Sequence, residues 1–329
     1  MFNDLKILEL AMYLPLPFTG AFFANAGAKV IKIEHPMGDP LKNLDNEIYT
    51  ALNKKKQILH IDLKDNTRRG EVLSIIKEVD VVLNGFKPSF IKTYNLDYEN
   101  AKLINPSIIY ISLSAYEKNT PFENKAGHDL NFVSLSGIMS SLNMPPAPLP
   151  FQIADMAGAL WAIIGTFYML EKRRKTNNGG NLELSLFRSC LSLFPFFYFS
   201  KENGLIEKGM LYGNYACYNV YKCKDGRFIA VGSLEEKFFK KLLEMLNIEF
   251  DQTKFNTPEG QDYYRKVLAD KFLLYDRDYW INYFKNEDIC ITPILEKKEL
   301  LMLLNEWYEN MSLEDFLMFP FNLIKKDSV

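Results

Sequence analysis

Residues 5–34 read LKILELAMYLPLPFTGAFFANAGAKVIKIE. Two short runs of branched apolar residues, LKILEL and KVIKIE, flank a segment of helical character. That segment closes on Gly27, the residue type that most readily ends a helix in a left-handed turn. Strand, helix and strand at this spacing predict two parallel strands joined by a crossover helix. The rhythm continues with QILHIDL at 57–63, a helix from about Asn66, VDVVLNGF at 79–86, a further helix, and SIIYISLSA at 107–115. The predicted fold class is therefore α/β, with a doubly wound parallel sheet (Rossmann-like) forming a large domain. The phosphate-binding fingerprint GxGxxG is absent from the sequence. Without it the fold by itself names no function.

Further along, EKRRK and TNNGG at 171–180 end a helix in a hinge near Asn177 to Gly180. Beyond the hinge, CKDGRFIAVG reads as a hairpin turning at Lys224-Asp225-Gly226, and helices with a short strand at ICITPIL come after it. The expected division is a large domain over residues 1–185, linker helices over 186–220, and a smaller α+β domain with the C-terminal tail over 221–329. PPAPLP at 145–150 reads as a rigid extended connector.

Composition narrows the function classes. With 48% hydrophobic and 24% charged residues over 329 positions, the chain can bury a sizeable core and supports two domains. A net charge of -2 supplies no global field toward nucleic acid or an anionic membrane, so neither is expected as a partner. Cys190, Cys217, Cys223 and Cys290 lack CxxC spacing, which predicts neither a metal site nor a disulfide framework and fits a cytoplasmic protein. The N-terminus carries Asp4 and Lys6 in its first apolar run and reads as a strand, not a signal peptide. Met156 to Leu170 is uncharged, but at 15 residues it falls short of the roughly 18 to 20 a membrane span needs and reads as a buried helix.

The charges that are missing point to a site. From Leu130 to Leu170 the one charged residue is Asp155, alone among 40 neutral neighbours. A carboxylate in apolar surroundings is desolvated, which disfavours the ion and brings proton exchange toward neutral pH. A plainer role stands beside it: Asp155 as the N-cap of a helix beginning at Met156. His128, in Gly127-His128-Asp129, borders the same neutral stretch. Of the other two histidines, His60 falls inside a strand pattern and is expected to be packed. His35 follows a strand at the edge where open α/β sheets bind ligands. The run Lys54-Lys55-Lys56, with Lys64 beyond it, reads either as a phosphate clamp or as a solvated face.

These segments together resemble the class III coenzyme A-transferase superfamily, and within it the α-methylacyl-CoA racemases. The landmarks are LKILELA, LPLPF and NAGAKVIKIEHP near the start, then KKKQILHIDLK, VDVVLNGFKP, NPSIIYISLSAY, AGHDLNFVSLSG, IADMAG and YKCKDGRFIAVGSLE. By position the resemblance makes His128 and Asp155 an acid/base pair, with Glu235 as a supporting acid and the backbone N–H of Asp129 as donor to an enolate oxygen. Glu235 has an equally ordinary reading as an exposed carboxylate at a helix start.

The resemblance implies contacts to coenzyme A from Ile61, Asp62, Leu63, Lys64, Gly85 and the segment Gly127, Leu130, Asn131 and Phe132. His35 and Lys92 stand near positions where the family has arginine. His35 replaces one, Thr93 replaces another, and neither offers arginine's fixed fork, so weaker or differently seated coenzyme A is expected. Leu16 stands where the racemases have a small residue. The implied substrate is an acyl-CoA thioester, with no permanently bound cofactor, and the implied assembly is an interlocked homodimer. The C-terminal segment FPFNLIKKDSV is shorter than the family's return to the first domain. Racemase chemistry needs two bases on opposite faces of the α-carbon. Transferases of the superfamily keep the aspartate as a nucleophile and carry an aromatic residue where His128 stands. A non-catalytic coenzyme A-binding protein is the third expectation.

Overall fold

The computed structural model describes residues 2–142, 145–199 and 209–307. Their contacts divide them into two compact units, 2–141 with 145–194, and 142 with 195–199 and 209–307.

In the larger unit six strands form one wholly parallel sheet: β1 (Lys6–Leu10), β2 (Lys29–Glu34), β3 (Gln57–His60), β4 (Val81–Asn84), β5 (Ile109–Ser114) and β6 (Gly180–Ser185). Their order is β3-β2-β1-β4-β5-β6, the doubly wound order in which the chain reverses direction between β1 and β4. A parallel sheet is covered on both faces, which is why its central strands are rich in branched apolar residues. Along β1 the pleat sends Ile7 into one core, with the helices Pro15–Asn25 and Ile153–Thr176, and Leu8 and Leu10 into the other, beneath the helix Asn66–Glu78. Burying each such side chain contributes about 1.5–3 kcal/mol. The crossover helix Pro15–Asn25 has a proline in its first turn, where the missing N–H costs nothing, and stops before Gly27 at φ +101°.

The long helix Ile153–Thr176 presents Ala154, Ala157, Gly158, Ala162, Gly165 and Thr166 to the sheet and to its neighbour helix, where Thr19 donates a hydrogen bond to the carbonyl of Ala159 at 3.1 Å. The expectation of a buried helix holds for this face only. Leu160, Trp161, Ile164, Phe167 and Tyr168 are exposed on the other. At 24 residues the helix is long and apolar enough to cross a membrane by length and composition, and half of its most apolar window is buried within the fold. Its end is capped by Asn177 in the left-handed region, as the hinge signal TNNGG anticipates. The segment after that cap is not a hinge into a second domain but β6, paired to β5 along six residues.

The smaller unit holds an antiparallel sheet of β7 (Tyr218–Lys222), β8 (Phe228–Gly232) and β9 (Ile291–Pro293), in that order. Gly226 at φ +82° makes the β7–β8 turn at the predicted place. The helices Glu236–Met245, Pro258–Phe272 and Arg277–Phe284 close a separate core on this sheet around Phe239, Tyr264, Phe272 and Trp280. The C-terminal FPFNLIKKDSV lies outside the described residues.

Candidate active site

At the C-terminal edge of the parallel sheet, where the chain reverses direction, the loops after β1, β4 and β5 surround a cavity of about 1310 Å3. Ala11–Leu14 come from the first loop, Gly85–Ser89 from the second, and Ser114 and Ala115 from the third. The segment Glu123–Leu130 and the start of the long helix complete the wall. His128, Asp129 and Asp155 all line this one cavity, so the two edges of the neutral stretch meet in space.

A single carboxylate joins those edges. Asp129 Oδ1 accepts hydrogen bonds from the backbone N–H of Ala154 at 2.6 Å and of Asp155 at 3.0 Å. It therefore caps the long helix from 25 residues away. This corrects the cap assigned to Asp155: the helix begins at Ile153, Gln152 is its N-cap without a side-chain bond, and Asp155 lies in the first turn with its carboxyl free for other work. Burial, and after it the negative charge of Asp129, pushes the Asp155 carboxyl up from 3.8 to about 7. Near neutral pH it then exists as comparable amounts of acid and base, the condition for exchanging protons with a substrate.

His128 precedes the helix Asp129–Leu135, with extended φ −120°, and its own N–H donates to Asn131 Oδ1 at 3.0 Å. That bond fixes the backbone from which the imidazole projects. The imidazole is exposed in the cavity and meets the Tyr13 ring edge to face, with centroids 6.2 Å apart and planes at 84°. Asp129, as the first residue of the helix, has a backbone N–H with no partner inside that helix. Gly127 admits no side chain, because a Cβ there would stand 2.8 Å from the Phe132 ring.

The remaining predicted residues divide. Gly85, Gly127 and Leu130 line the cavity. Ile61, Leu63 and Phe132 have buried side chains, so any ligand contact from them is through backbone. Asn131 serves the His128 backbone. Asp62 Oδ1 accepts from the Lys64 backbone N–H at 2.9 Å and shapes the turn after β3. Lys64, Lys92 and His35 are exposed beyond the cavity lining, near the same edge of the sheet. Glu235 belongs to the smaller unit and is the exposed N-cap residue of the helix Glu236–Met245, without a capping bond from its side chain.

Two expectations change. His60 is exposed, because β3 is an edge strand, and its ring nitrogen lies 3.4 Å from the His35 carbonyl. Lys56 is neither phosphate clamp nor solvated face, since its ammonium is buried 2.8 Å from Glu9. Leu16, which stands where the racemases have a small residue, is buried and reaches the cavity wall. Sequence reading also assigns no role to Tyr13, Lys87 and Lys125, which line the cavity. Among the described residues no three His, Cys, Asp or Glu side chains gather to hold a metal ion.

The model of CoA-transferase family III matches residues 2–316, and the chain belongs to that family. It is 28% identical over 310 residues to human alpha-methylacyl-CoA racemase, covering 91% of this chain and 79% of the relative. It is 27% identical over 322 residues to human succinyl-CoA:glutarate CoA-transferase, covering 91% and 72%. A crystal structure of a CaiB/BaiF family protein from Brucella suis superposes with a TM-score of 0.78 at 24% identity, over 91% of this chain and 85% of that one, and shares its fold. Isomerases and transferases thus stand equally near.

Proposed function

We propose that the protein racemises or epimerises 2-substituted acyl-CoA thioesters, such as 2-methylacyl-CoA, with His128 and Asp155 as its acid/base pair. One observation carries the reading: the Asp155 carboxyl, pushed to about 7, shares a cavity with an exposed imidazole. One group removes the α-proton. The charge then moves onto the thioester oxygen as an enolate, which the Asp129 backbone N–H stabilises, and the other group returns a proton to the opposite face. His35, Lys64 and Lys92, all exposed at the same sheet edge, are proposed to hold the phosphates of coenzyme A, with Ile61, Asp62, Leu63 and Gly85 meeting it along its length. Glu235 is a proposed supporting acid. A homodimer in the cytoplasm is part of the same reading.

Transfer of coenzyme A between carboxylic acids, with Asp155 attacking the thioester carbonyl and the coenzyme A thiolate leaving as the anhydride forms, is the runner-up, on the strength of the transferase relative. A nucleophile needs its carboxylate ionised, and a carboxyl titrating near 7 fits proton exchange better. Incubation of a 2-methylacyl-CoA in D2O tests the proposal. Deuterium should enter at C2, and inversion should stop in both His128→Asn and Asp155→Asn. No incorporation by the wild type would sink it. Turnover that strictly requires a second carboxylic acid and survives His128→Asn would move the protein to the transferases.

A further inference from the structure

Beneath the cavity, the first two strands bury a group of charges that the proposed chemistry does not use. Glu9, Lys32, Glu34 and Asp39 are each at most 2% exposed. Lys32 Nζ lies 2.7 Å from Asp39 Oδ2, 3.2 Å from Glu34 and 3.8 Å from Glu9. Lys56 Nζ lies 2.8 Å from the other Glu9 oxygen and donates to the Pro17 carbonyl at the same distance. Tyr49 donates its hydroxyl to Glu34 at 3.0 Å. Three carboxylates thus face two ammonium groups, and Glu9 Oε1 accepts no hydrogen bond. An apolar core of the same volume is commonly at least as stable as such a cluster, so stability alone does not account for it.

Asp39 leads out of the cluster. While its Oδ2 holds Lys32, its Oδ1 accepts the backbone N–H of Leu41 at 3.0 Å and of Tyr13 at 3.2 Å. Tyr13 has φ +64°, the left-handed region that a bulky side chain enters only when its surroundings hold it there. In that conformation its ring lines the cavity and meets His128 edge to face. We infer that Tyr13 and Asp39 are positioning residues for His128: the buried Lys32–Asp39 pair holds the β1 loop in its strained form, and the loop sets the Tyr13 ring against the imidazole. A cluster of charges fits this task where apolar packing would not, because hydrogen bonds from a fixed carboxylate specify where two backbone N–H groups must lie.

The assignment rests on His128 acting in catalysis, and the experiment separates the two. The chain has three histidines, so the 15N-labelled imidazole signals of His128 can be identified by their loss in His128→Gln. Tyr13 is 37% exposed and its replacement leaves the core intact. In Tyr13→Phe the His128 signals and the rate of α-deuterium exchange should stay near wild type. In Tyr13→Ala the His128 ring signals should move as the neighbouring ring current is lost, and kcat should fall about tenfold with KM for the acyl-CoA little changed. Asp39→Asn should shift His128 in the same direction. Unmoved His128 signals in Tyr13→Ala, or an equal loss in Tyr13→Phe, overturn the inference, even if Asp39→Asn does not fold. A wild type that exchanges no deuterium would refute the racemase reading, while the NMR comparison would still decide the positioning.

Discussion

Replacing Asp155 with asparagine would keep the outline of the side chain and remove its charge, and the protein should become inactive and more stable by the same change. The Asp155 carboxyl is raised from 3.8 to about 7 in the folded chain, first by burial and then by Asp129. Between those two values the native state holds a proton that the unfolded chain has released. Stability therefore falls as pH rises through that window, by about 1.36 kcal/mol per pH unit, and the penalty is complete above pH 7. It amounts to about 4 kcal/mol at pH 8 and vanishes below about 3.8. The Asp155→Asn variant carries no such penalty, and Asp129 can still cap the helix, because it binds the backbone of residues 154 and 155 and not the side chain. Urea unfolding at a series of pH values is the assay. The advantage of Asp155→Asn over wild type should widen by about 2 kcal/mol between about pH 5.5 and pH 8, because roughly 1.5 pH units of the window lie in that interval. A variant less stable than wild type at pH 8, or a gap that does not change with pH, would refute the assignment of Asp155 as a desolvated carboxyl.

Packing sets two further outcomes. In Gly20→Ala the new methyl group would land on the Glu9 carboxylate and 3.2 Å from Lys56 Nζ, forcing the helix Pro15–Asn25 off the sheet. The expected cost is about 3 kcal/mol and a fall in Tm of roughly 8 °C, and a thermal transition at the wild-type temperature would show that the buried pair yields freely. In the smaller unit Arg277 is 4% exposed and ties the helix Lys297–Trp307 down by holding Glu299 at 3.0 Å, alongside the carbonyl of Ile294 at 2.8 Å. Arg277 pulls the Glu299 carboxyl down from 4.5 to about 2, so this contribution is present above pH 4.5 and is lost as pH falls through about 2. Hydrogen exchange should show residues 297–307 protected at pH 4 and frayed near pH 2. Arg277→Met should fray them at both, and protection in that variant at pH 4 would count against the tie.

Much of the parallel sheet was legible because strands buried on both faces must be apolar on both, a pattern few other elements share. β6 escaped notice for the converse reason. It is an edge strand whose GNLELS alternates polar and apolar residues directly after a strong turn signal, and only its pairing with β5 makes it a strand. The exposure of His60 has the same origin at the opposite edge, where β3 has a neighbour on one side only. The start of the long helix was misjudged by three residues because its cap, Asp129, is remote in sequence, and no local pattern marks Ile153 as its first residue.

Asp155 itself was visible because the neutral run around it in sequence survives folding as burial, the first cause of its raised carboxyl. The buried cluster was invisible for a related reason. Glu9, Lys32 and Glu34 alternate with apolar residues along β1 and β2, which in a sequence reads as a strand with one wet face. What keeps them inside is pairing across 7 residues, from Lys32 to Asp39, and across 47, from Lys56 to Glu9. The two sites are therefore opposite solutions to one problem. A buried carboxylate with an ammonium at 2.7 Å is paired and becomes an anchor, as Asp39 does for the Tyr13 loop. A carboxyl desolvated by burial, with another carboxylate beside it, is driven toward neutrality, and at about 7 it can both take and give a proton. An ammonium partner on one side, and burial beside another carboxylate on the other, separate the residue that holds the site from the residue proposed to react in it.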